Sequence, residues 1–495
     1  MNRRRFLKLS SQLGAAACLG CAIDEDWLLP ARKSAKSHDA GLRLLARFAH
    51  VTDTHLMDEE SPARFPGAHE ITHSAWRPYE AYSTHLLDGV IRAFNRLHSA
   101  GRTVDFLLHT GDACDNAQGN ELDWLIRALD GGTIDPRSGP DDRPLDARPE
   151  PSLDPHAPFT ASGLYRSGVH GDAPSIPWYA VLGNHDAYGL GVFPILDAGD
   201  GRRIAPLPLP GRPGFVLPVV LDPTAAMAHG RITPAQPGPP NLFTSPQPIE
   251  PNQARAYFDR EEYVETLRAT AVTSDEHGFR GVANGTSWYS VQPVPGVRLI
   301  GLDTTVRAVD VLGGVHSEGS LRREQLAFLE AELAGADVGG EIVIVATHHP
   351  SEALGRLNAS EVGAEEFRAV LRTHPRVILH VAGHRHRNRV TDRDGYVELE
   401  TCSTLDWPQE GRLIEFWEDP NDGSITLAYE MVSHLDDALP ALGPDPLRAL
   451  RTQAQNLARL DKGATARRRR FDPSGADPSG GPTDRHGFLV MGRRR

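Results

Sequence analysis

The fold of this chain is decided by Leu107-Leu108-His109-Thr110-Gly111-Asp112-Ala113-Cys114-Asp115-Asn116. An apolar run that begins at Val104 enters a Gly-Asp turn here, which is typical of a buried strand that ends in polar residues. Ligands of α/β proteins gather at the carboxyl ends of strands, so Asp112 is predicted to stand at a binding position. On its own, the stretch favours a simpler explanation, in which Asp112 and Asp115 cap the next helix.

Four further apolar runs end in side chains that can bind metals. They are followed by Asp53-Thr54-His55, by Gly183-Asn184-His185-Asp186, by His348-His349-Pro350 and by Gly383-His384-Arg385-His386. Residues two apart in an extended segment point to the same side, so the first and last clusters can each aim two donors at one place. Five strand-end clusters of carboxylate, carboxamide and imidazole together indicate a metal site.

In kind and order these motifs resemble the pattern of the calcineurin-like metallophosphoesterase superfamily, over roughly residues 45 to 430. The resemblance implies two metal ions. One would be held by Asp53, His55 and His386, the other by Asn184, His348 and His384, and Asp112 would bridge them. His349 is the less suitable ligand, because the family places its metal-binding His two residues before the Pro. Asp115 is expected to lie outside the direct ligand set.

The resemblance also implies the reaction, which is hydrolysis of a small phosphomonoester or phosphodiester by a hydroxide that the metals make available near neutral pH. His185 would stand beside the metals as the proton donor or charge stabiliser at the leaving group. Asp186 would orient His185 or the adjacent loop. The donors suit divalent or trivalent Mn, Fe or Zn without choosing among them. Two alternatives stay open: an exported metal-binding protein without turnover, and a dinuclear hydrolase of a non-phosphate bond.

The expected fold is α/β, a four-layer α-β-β-α sandwich with long loop insertions. Strands alternate with helices and then follow in hairpin order, which agrees with that class. We expect the metallophosphoesterase domain over residues 43–435, interrupted by insertions at about 131–175 and 187–284. The second insertion is predicted to hold a proline-rich loop (Pro206 to Pro251) and a helix (Gln253 to Arg268), and part of it to cover the site. Residues 436–495 are predicted to form one helix, within Pro444 to Leu460, and a disordered, flexible tail.

Composition narrows the function classes. The 495-residue chain has a formal net charge of −13, which argues against nucleic acid as the main partner. Its lysines are confined to positions 8, 33, 36 and 462, outside the predicted catalytic region. P-loop, Schiff-base and Ser-x-x-Lys chemistries are therefore excluded, and metal-centred chemistry remains.

The N-terminus points to export. The run Asn2-Arg3-Arg4-Arg5-Phe6-Leu7-Lys8 resembles a twin-arginine signal, and a short apolar stretch follows it, so residues 1–30 are expected to be a signal peptide. The protein would be periplasmic or extracellular, with membrane contact only if Cys21 is lipidated. Cys114 and Cys402 are expected to be small buried thiols, with a disulfide between them as the alternative after export. The sequence leaves the oligomeric state open.

Overall fold

The computed structural model describes residues 41–64, 76–139, 154–165, 176–210, 216–225, 249–271, 273–306, 317–355, 361–439, 444–461 and 477–491. The predicted signal peptide lies outside these residues. Within the described ranges, every helix is too short or too polar to cross a membrane.

Two six-stranded sheets form the framework. Their strands, in chain order, are β1 Arg43–Val51, β2 Phe106–His109, β3 Trp178–Ala180, β4 Tyr289–Val294, β5 Val297–Gly301, β6 Ile342–Ala346, β7 Val377–Ala382, β8 Arg389–Asp392, β9 Val397–Glu400, β10 Glu410–Glu418, β11 Ile425–Ser433 and β12 His486–Met491. The first sheet has the order β12-β11-β10-β1-β2-β3, and the second has the order β4-β5-β6-β7-β9-β8.

Each sheet has a parallel half, and these halves carry the predicted motifs. In the first sheet β1, β2 and β3 run parallel, and in the second β5, β6, β7 and β9 do. All residues of β6 and β7 are buried, as expected of central parallel strands; the polar member of β7, His380, contacts Thr347 Oγ1 and Glu398 Oε2. The antiparallel strands β10 and β11 extend the first sheet beyond β1, which matches the predicted hairpin order.

Helices cover the outer face of each sheet. They are α1 Ser83–Ser99, α2 Gly119–Asp130, α3 Arg260–Thr270, α4 Arg323–Gly339, α5 Ala364–Thr373, α6 Arg448–Leu460 and α7 Pro482–Arg485. The apolar stripe of α1, which includes Leu87, Val90 and Phe94, joins a core made of residues from both sheets. A second cluster packs α4 and α5 against β6 and β7. The layers are therefore helix, sheet, sheet and helix, as expected.

The insertions contain more regular structure than the sequence indicated. Short antiparallel pairs join Gly132–Ile134 to Phe159–Ala161 and Tyr188–Gly189 to Phe193–Pro194. Strands Arg203–Pro210 and Val216–Leu221 pair where a loop from Pro206 was predicted, so that prediction is wrong for these residues. Prolines fit there because this small sheet stands apart from the two central sheets, and Pro is tolerated at sheet edges.

Two predicted boundaries also need correction. The helix predicted from Gln253 begins only at Arg260, because the Asp259 side chain and Glu262 form a capping box; Gln253–Arg255 is a separate 3₁₀ turn. The C-terminal tail is not disordered throughout, since β12 pairs with β11 along its length. The short apolar run from Phe488 to Met491 supplies strand propensity that the Gly- and Pro-rich composition around it concealed.

Candidate metal centre and active site

The predicted donors lie at the carboxyl ends of the parallel strands. Asp53 and His55 follow β1, Asp112 follows β2, and Asn184 and His185 follow β3. From the second sheet, His348 follows β6, and His384 and His386 follow β7. Backbone bonds tie the first two loops together, because the Asp53 and His55 N–H groups donate to the Gly111 and Asp112 carbonyls, both at 3.0 Å.

One group of donors is formed by Asp53, His55, His386 and Asp112. His386 Nε2 lies 3.1 Å from Asp53 Oδ1 and 3.1 Å from His55 Nε2. His55 Nε2 lies 3.7 Å from Asp112 Oδ2. Ligands about 2.1 Å from an ion and at right angles around it are separated by about 3.0 Å. These spacings therefore fit donors that surround a single ion.

A second group lies on the other side of Asp112. His348 Nε2 is 3.1 Å from Asn184 Oδ1 and 3.2 Å from Asp112 Oδ2. The His384 ring lies beside His348, with 5.2 Å between the ring centroids. Asp112 Oδ2 thus faces both groups, so the structure brings all seven predicted ligands together around one shared carboxylate.

His349 also lies in this cluster, within metal-binding reach of His348 and His384. Both of its ring nitrogens already have protein partners, however. Nδ1 lies 2.8 Å from Thr304 Oγ1, and Nε2 lies 3.0 Å from the Ser317 carbonyl oxygen. A neutral imidazole donates through one nitrogen and accepts through the other, so these contacts with groups outside the predicted ligand set occupy both ring nitrogens of His349.

Backbone conformation marks the site as strained. Five of the seven predicted ligands have left-handed φ angles between 41° and 67°, namely Asp53, His55, Asp112, His384 and His386. Such a conformation costs about 1–3 kcal/mol for a residue other than glycine, and it persists only where the surroundings impose it. Clusters of residues in this conformation are characteristic of functional sites, and their coincidence with the ligand set supports a functional role for the turns.

Two motif glycines are required by close approach. A Cβ on Gly183 would lie 2.2 Å from Asp112 Oδ1, and one on Gly383 would lie 2.4 Å from Asp53 Oδ2. The neighbouring N–H groups use this closeness, since His185 N donates to Asp112 Oδ1 at 2.8 Å and His384 N donates to Asp53 Oδ2 at 2.9 Å. Each glycine therefore lets one strand-end loop hold a carboxylate of another.

Three ligand imidazoles are oriented through Nδ1. His55 Nδ1 lies 3.0 Å from Asp115 Oδ1, and His386 Nδ1 lies 2.6 Å from Asp406 Oδ2. His348 Nδ1 lies 2.8 Å from the Thr110 carbonyl oxygen. A proton on Nδ1 that is donated to these oxygens leaves the Nε2 lone pair for an ion. Asp115 therefore lies on the Nδ1 side of the His55 ring.

Neighbouring charges shift the pKa values of two predicted ligands in opposite directions. Burial alone would raise the pKa of Asp53, but the neighbouring His386 and His348 together lower that pKa to about 2. Burial likewise opposes charge on His348, but Asp112 raises the pKa of His348 to about 9. Because metal ligands must lose their protons, the uptake of ions at this site competes with protons.

The side chains of His185 and Asp186 leave their shared turn towards different partners. The His185 ring stands edge-on to His55, with 4.5 Å between centroids, and its Nδ1 lies 2.7 Å from the Asp115 carbonyl oxygen. Asp186 does not face the cluster, because its carboxylate accepts from the N–H groups of Cys114 and Gly183, both at 2.9 Å. Of its two predicted roles, this geometry matches the orientation of the adjacent loop, and it does not match a catalytic contact.

The second insertion reaches the site at Gly191. The Gly191 carbonyl accepts from Asn184 Nδ2 at 2.9 Å, which turns Asn184 Oδ1 towards His348. A Cβ on Gly191 would lie 2.1 Å from His185 Cδ2, so this backbone packs directly on the imidazole. Tyr188 also donates to the Val306 carbonyl, beyond β5. This part of the insertion therefore flanks the donors on the His185 side.

Sequence reasoning missed the residues that support the ligands from behind. Asp406 lies in the loop after β9, too far beyond the end of that strand for the strand-end pattern that found the other carboxylates. Arg64 and Arg77 come from a segment without periodicity, and the sequence carries no signal for them. Cys114 and Cys402 are both buried, unpaired thiols.

Comparison with known proteins decides the family. The model of the family described as calcineurin-like phosphoesterase matches residues 46–388. The chain belongs to the calcineurin-like phosphoesterase family. As a family member it is a phosphoesterase, and its buried His and Asp residues form groups that could hold metal ions. No curated protein matches the chain.

Two solved structures are similar to this phosphoesterase at low sequence identity. One is a dimetal phosphatase from Danio rerio, with 15% identity, a TM-score of 0.42, and coverage of 80% of this chain and 98% of the other. The second is a protein assigned as a 5′-nucleotidase from Staphylococcus aureus, with 14% identity and a TM-score of 0.32. That match covers 83% of this chain and 58% of the other.

Proposed function

We propose that this phosphoesterase hydrolyses a phosphomonoester or phosphodiester of a small molecule at a site holding two metal ions. The observation that carries the proposal is the position of Asp112, whose Oδ2 lies 3.7 Å from His55 Nε2 and 3.2 Å from His348 Nε2. Two bound cations would polarise a phosphoryl oxygen and lower the pKa of a water to about 7. Shared by both groups, the Asp112 carboxylate would offset the repulsion between the cations.

The donor set supports Mn, Fe or Zn as the ions. It combines the Asp53 and Asp112 carboxylates, the Asn184 carboxamide and four imidazoles. Imidazole favours Zn and Fe, and carboxylate and carbonyl oxygens favour Mn, so the mixture excludes a purely oxygen-lined Mg or Ca site. Calcium and magnesium sites are built mainly from oxygen ligands, which this cluster lacks in number.

His185 is proposed to serve the leaving group. Its Nδ1–H donates to the Asp115 carbonyl, which fixes the ring; a doubly protonated ring would then give its Nε2 proton to the departing oxygen and keep the Nδ1 proton. Its backbone N–H, meanwhile, holds Asp112 Oδ1. One residue thus positions the bridging carboxylate and serves the leaving group, and its ring orientation is set by Asp115.

Part of the second insertion is proposed to cover the site and influence substrate choice. Gly191 packs on His185, and Arg260 donates to Thr305 Oγ1 at 2.7 Å, which links the insertion to the loop after β5. The contact at Gly191 places the insertion beside His185. Residues that enclose a metal centre decide which leaving groups can approach it.

Export by the twin-arginine pathway is also proposed, on the strength of Arg3, Arg4, Phe6, Leu7 and Lys8. Proteins that use this pathway cross the membrane already folded, and a dinuclear site assembled before export suits that route. The exported protein would act in the periplasm or outside the cell, and it would carry a lipid anchor only if Cys21 is modified.

The proposal is tested by turnover of the metal-free and reloaded protein. The chain lacking its first 30 residues is stripped with a chelator, reloaded with Mn²⁺, Zn²⁺ or Fe²⁺, and offered p-nitrophenyl phosphate, bis(p-nitrophenyl) phosphate and an aminoacyl p-nitroanilide. We expect hydrolysis of a phosphoester that depends on added metal. Metal uptake without any turnover would favour a binding protein, and cleavage of the anilide alone would favour a hydrolase of a non-phosphate bond.

A further inference from the structure

A buried charge network lies directly behind one of the two groups of donors. Asp115 and Asp406 accept from the His55 and His386 rings, and a single guanidinium, that of Arg77, connects them. Arg77 Nη1 lies 3.2 Å from Asp115 Oδ1, and Arg77 Nε lies 2.9 Å from Asp406 Oδ1. The side chains of Arg77 and Asp115 are fully buried, and that of Asp406 is 7% exposed.

Neighbouring groups hold this guanidinium and its carboxylates in place. The Arg77 backbone N–H donates to Glu80 Oε2 at 2.9 Å, and the Tyr79 hydroxyl donates to Asp406 Oδ1 at 2.7 Å. Arg64 pairs with both Glu80 and Asp115 but not with Asp406. Arg77 is therefore the member of the network that spans both carboxylates.

The other group of donors is supported differently. His348 Nδ1 faces the neutral Thr110 carbonyl, which belongs to the backbone and needs no counterion. A carboxylate partner raises the basicity of a ligating imidazole and fixes its ring, so the two groups of donors differ chemically. Buried carboxylates are stable only when cations and donors satisfy them, and here Arg77 supplies this for Asp115 and Asp406 together.

We propose that Arg77 is a positioning residue, which holds Asp115 and Asp406 so that His55 and His386 present Nε2 to the same ion. The inference rests on the proposed dinuclear function and adds to it a residue that touches neither metal nor substrate. An arginine suits this position because its rigid fork of donors reaches two carboxylates at once, whereas a lysine ammonium is a compact point charge. Arg77→Lys keeps the positive charge but removes the fork of donors that reaches both Asp115 and Asp406.

The test measures ion binding without turnover. Metal-free protein is titrated with Mn²⁺ by calorimetry, and the shift of the thermal midpoint on adding Mn²⁺ is recorded for each variant. Loss of a residue that orients a metal ligand typically weakens metal binding about 10–100-fold. We expect this loss in one of the two binding steps of Arg77→Lys, with the other step close to wild type, and the same pattern in Asp406→Asn.

Arg255→Lys is the matched control. Arg255 is equally buried and pairs with Asp58 at 2.8 Å, but it contacts neither of the carboxylates behind the histidines. This control should keep both binding steps, which separates a positioning role from the general cost of replacing a buried arginine. If Arg77→Lys fails to fold, Asp406→Asn and Tyr79→Phe carry the test, because both keep Arg77.

Wild-type affinity at both steps in Arg77→Lys, or in Asp406→Asn, would overturn the inference. An equal loss in Arg255→Lys would overturn it too. Failure of the proposed function would give a different result from failure of the positioning role. A wild-type protein that takes up two ions but hydrolyses no phosphoester would refute the function and leave the positioning role standing.

Discussion

The contact between Gly191 and His185 allows the catalytic assignment to be tested by a single methyl group. Gly191 has a left-handed φ of 69°, and a Cβ built on it would lie 2.1 Å from His185 Cδ2 and 2.2 Å from His185 Nε2. Gly191→Ala therefore places a methyl group where the imidazole stands. Its effect should fall first on His185, and the metal content of the variant reports whether the bond from Asn184 to the Gly191 carbonyl is kept.

The size of the effect follows from these distances. Carbon atoms approach favourably at about 3.5–4.0 Å, so His185 and the loop must move apart by about 1.4 Å. A misplacement of about 1 Å at a reacting group can cost about 10²-fold in rate. General acid catalysis contributes about 10²–10⁴-fold in total, which sets the upper limit. We expect Gly191→Ala to slow hydrolysis of an alkyl phosphoester about 10²-fold.

The assay compares two leaving groups in protein whose metal content has been measured. p-Nitrophenolate departs without a proton, whereas an alkoxide needs one, so the p-nitrophenyl ester should slow much less than the alkyl ester. Gly199→Ala is the control, because Gly199 lies in the same insertion with φ of 83°, but a Cβ built on it would meet no atom of the described residues within 4 Å. It introduces the backbone strain without the clash and should retain both rates.

Three outcomes would refute this role of the contact. Unchanged rates in Gly191→Ala would show that His185 does not need its present position. Equal losses on both esters with full metal content would move His185 from the leaving group to charge stabilisation or phosphoryl positioning. Equal losses in Gly199→Ala would attribute the effect to backbone strain in the insertion.

Further predictions concern catalysis, export and acid stability. His185→Ala should keep both ions and slow an alkyl phosphoester far more than a p-nitrophenyl ester, as steady-state rates would show; equal slowing would count against the leaving-group role. Replacing Arg3 and Arg4 with Lys should retain the protein in the cytoplasm of a host with twin-arginine transport, and continued export in cell fractionation would refute that route. Burial and the nearby Arg451 lower the pKa of His434 from 6.5 to about 3, so its stabilising contribution is complete above pH 6.5 and is lost as pH falls towards 3. At pH 4 the loss is about 3 kcal/mol. Neither ring nitrogen of His434 has a hydrogen-bond partner among the described residues, so His434→Leu should reduce the acid loss in urea denaturation at pH 7 and pH 4, and an unchanged difference would contradict this.

The strand ends could be predicted from sequence because two independent signals coincide there. The apolar runs before His348 and His384, the second interrupted by His380, mark buried parallel strands, and clusters of polar residues follow such strands where the chain leaves the core. The spacing then predicts direction, because Asp53 and His55 are two residues apart and residues at that spacing in an extended segment point to the same side. These signals are local, and the structure brings all seven donors to one place.

The supporting residues could not be predicted in the same way. Arg77 meets Asp406 across 329 residues of sequence, and no periodic pattern records such a contact. The role of Asp186 was open for a similar reason, because its partners are backbone N–H groups whose direction depends on the turn. The strand His486–Met491 was concealed because its apolar run is short and its composition resembles a tail.

The central claim is that two ions share Asp112, and the number of ions bound per chain tests it most directly. Metal-free wild-type protein and Asp112→Asn are loaded with Mn²⁺, freed of excess metal, and analysed by mass spectrometry of their metal content alongside turnover of a phosphoester. We predict two ions per wild-type chain, at most one in Asp112→Asn, and turnover only in the wild type. Two ions and wild-type turnover in Asp112→Asn would contradict the shared carboxylate.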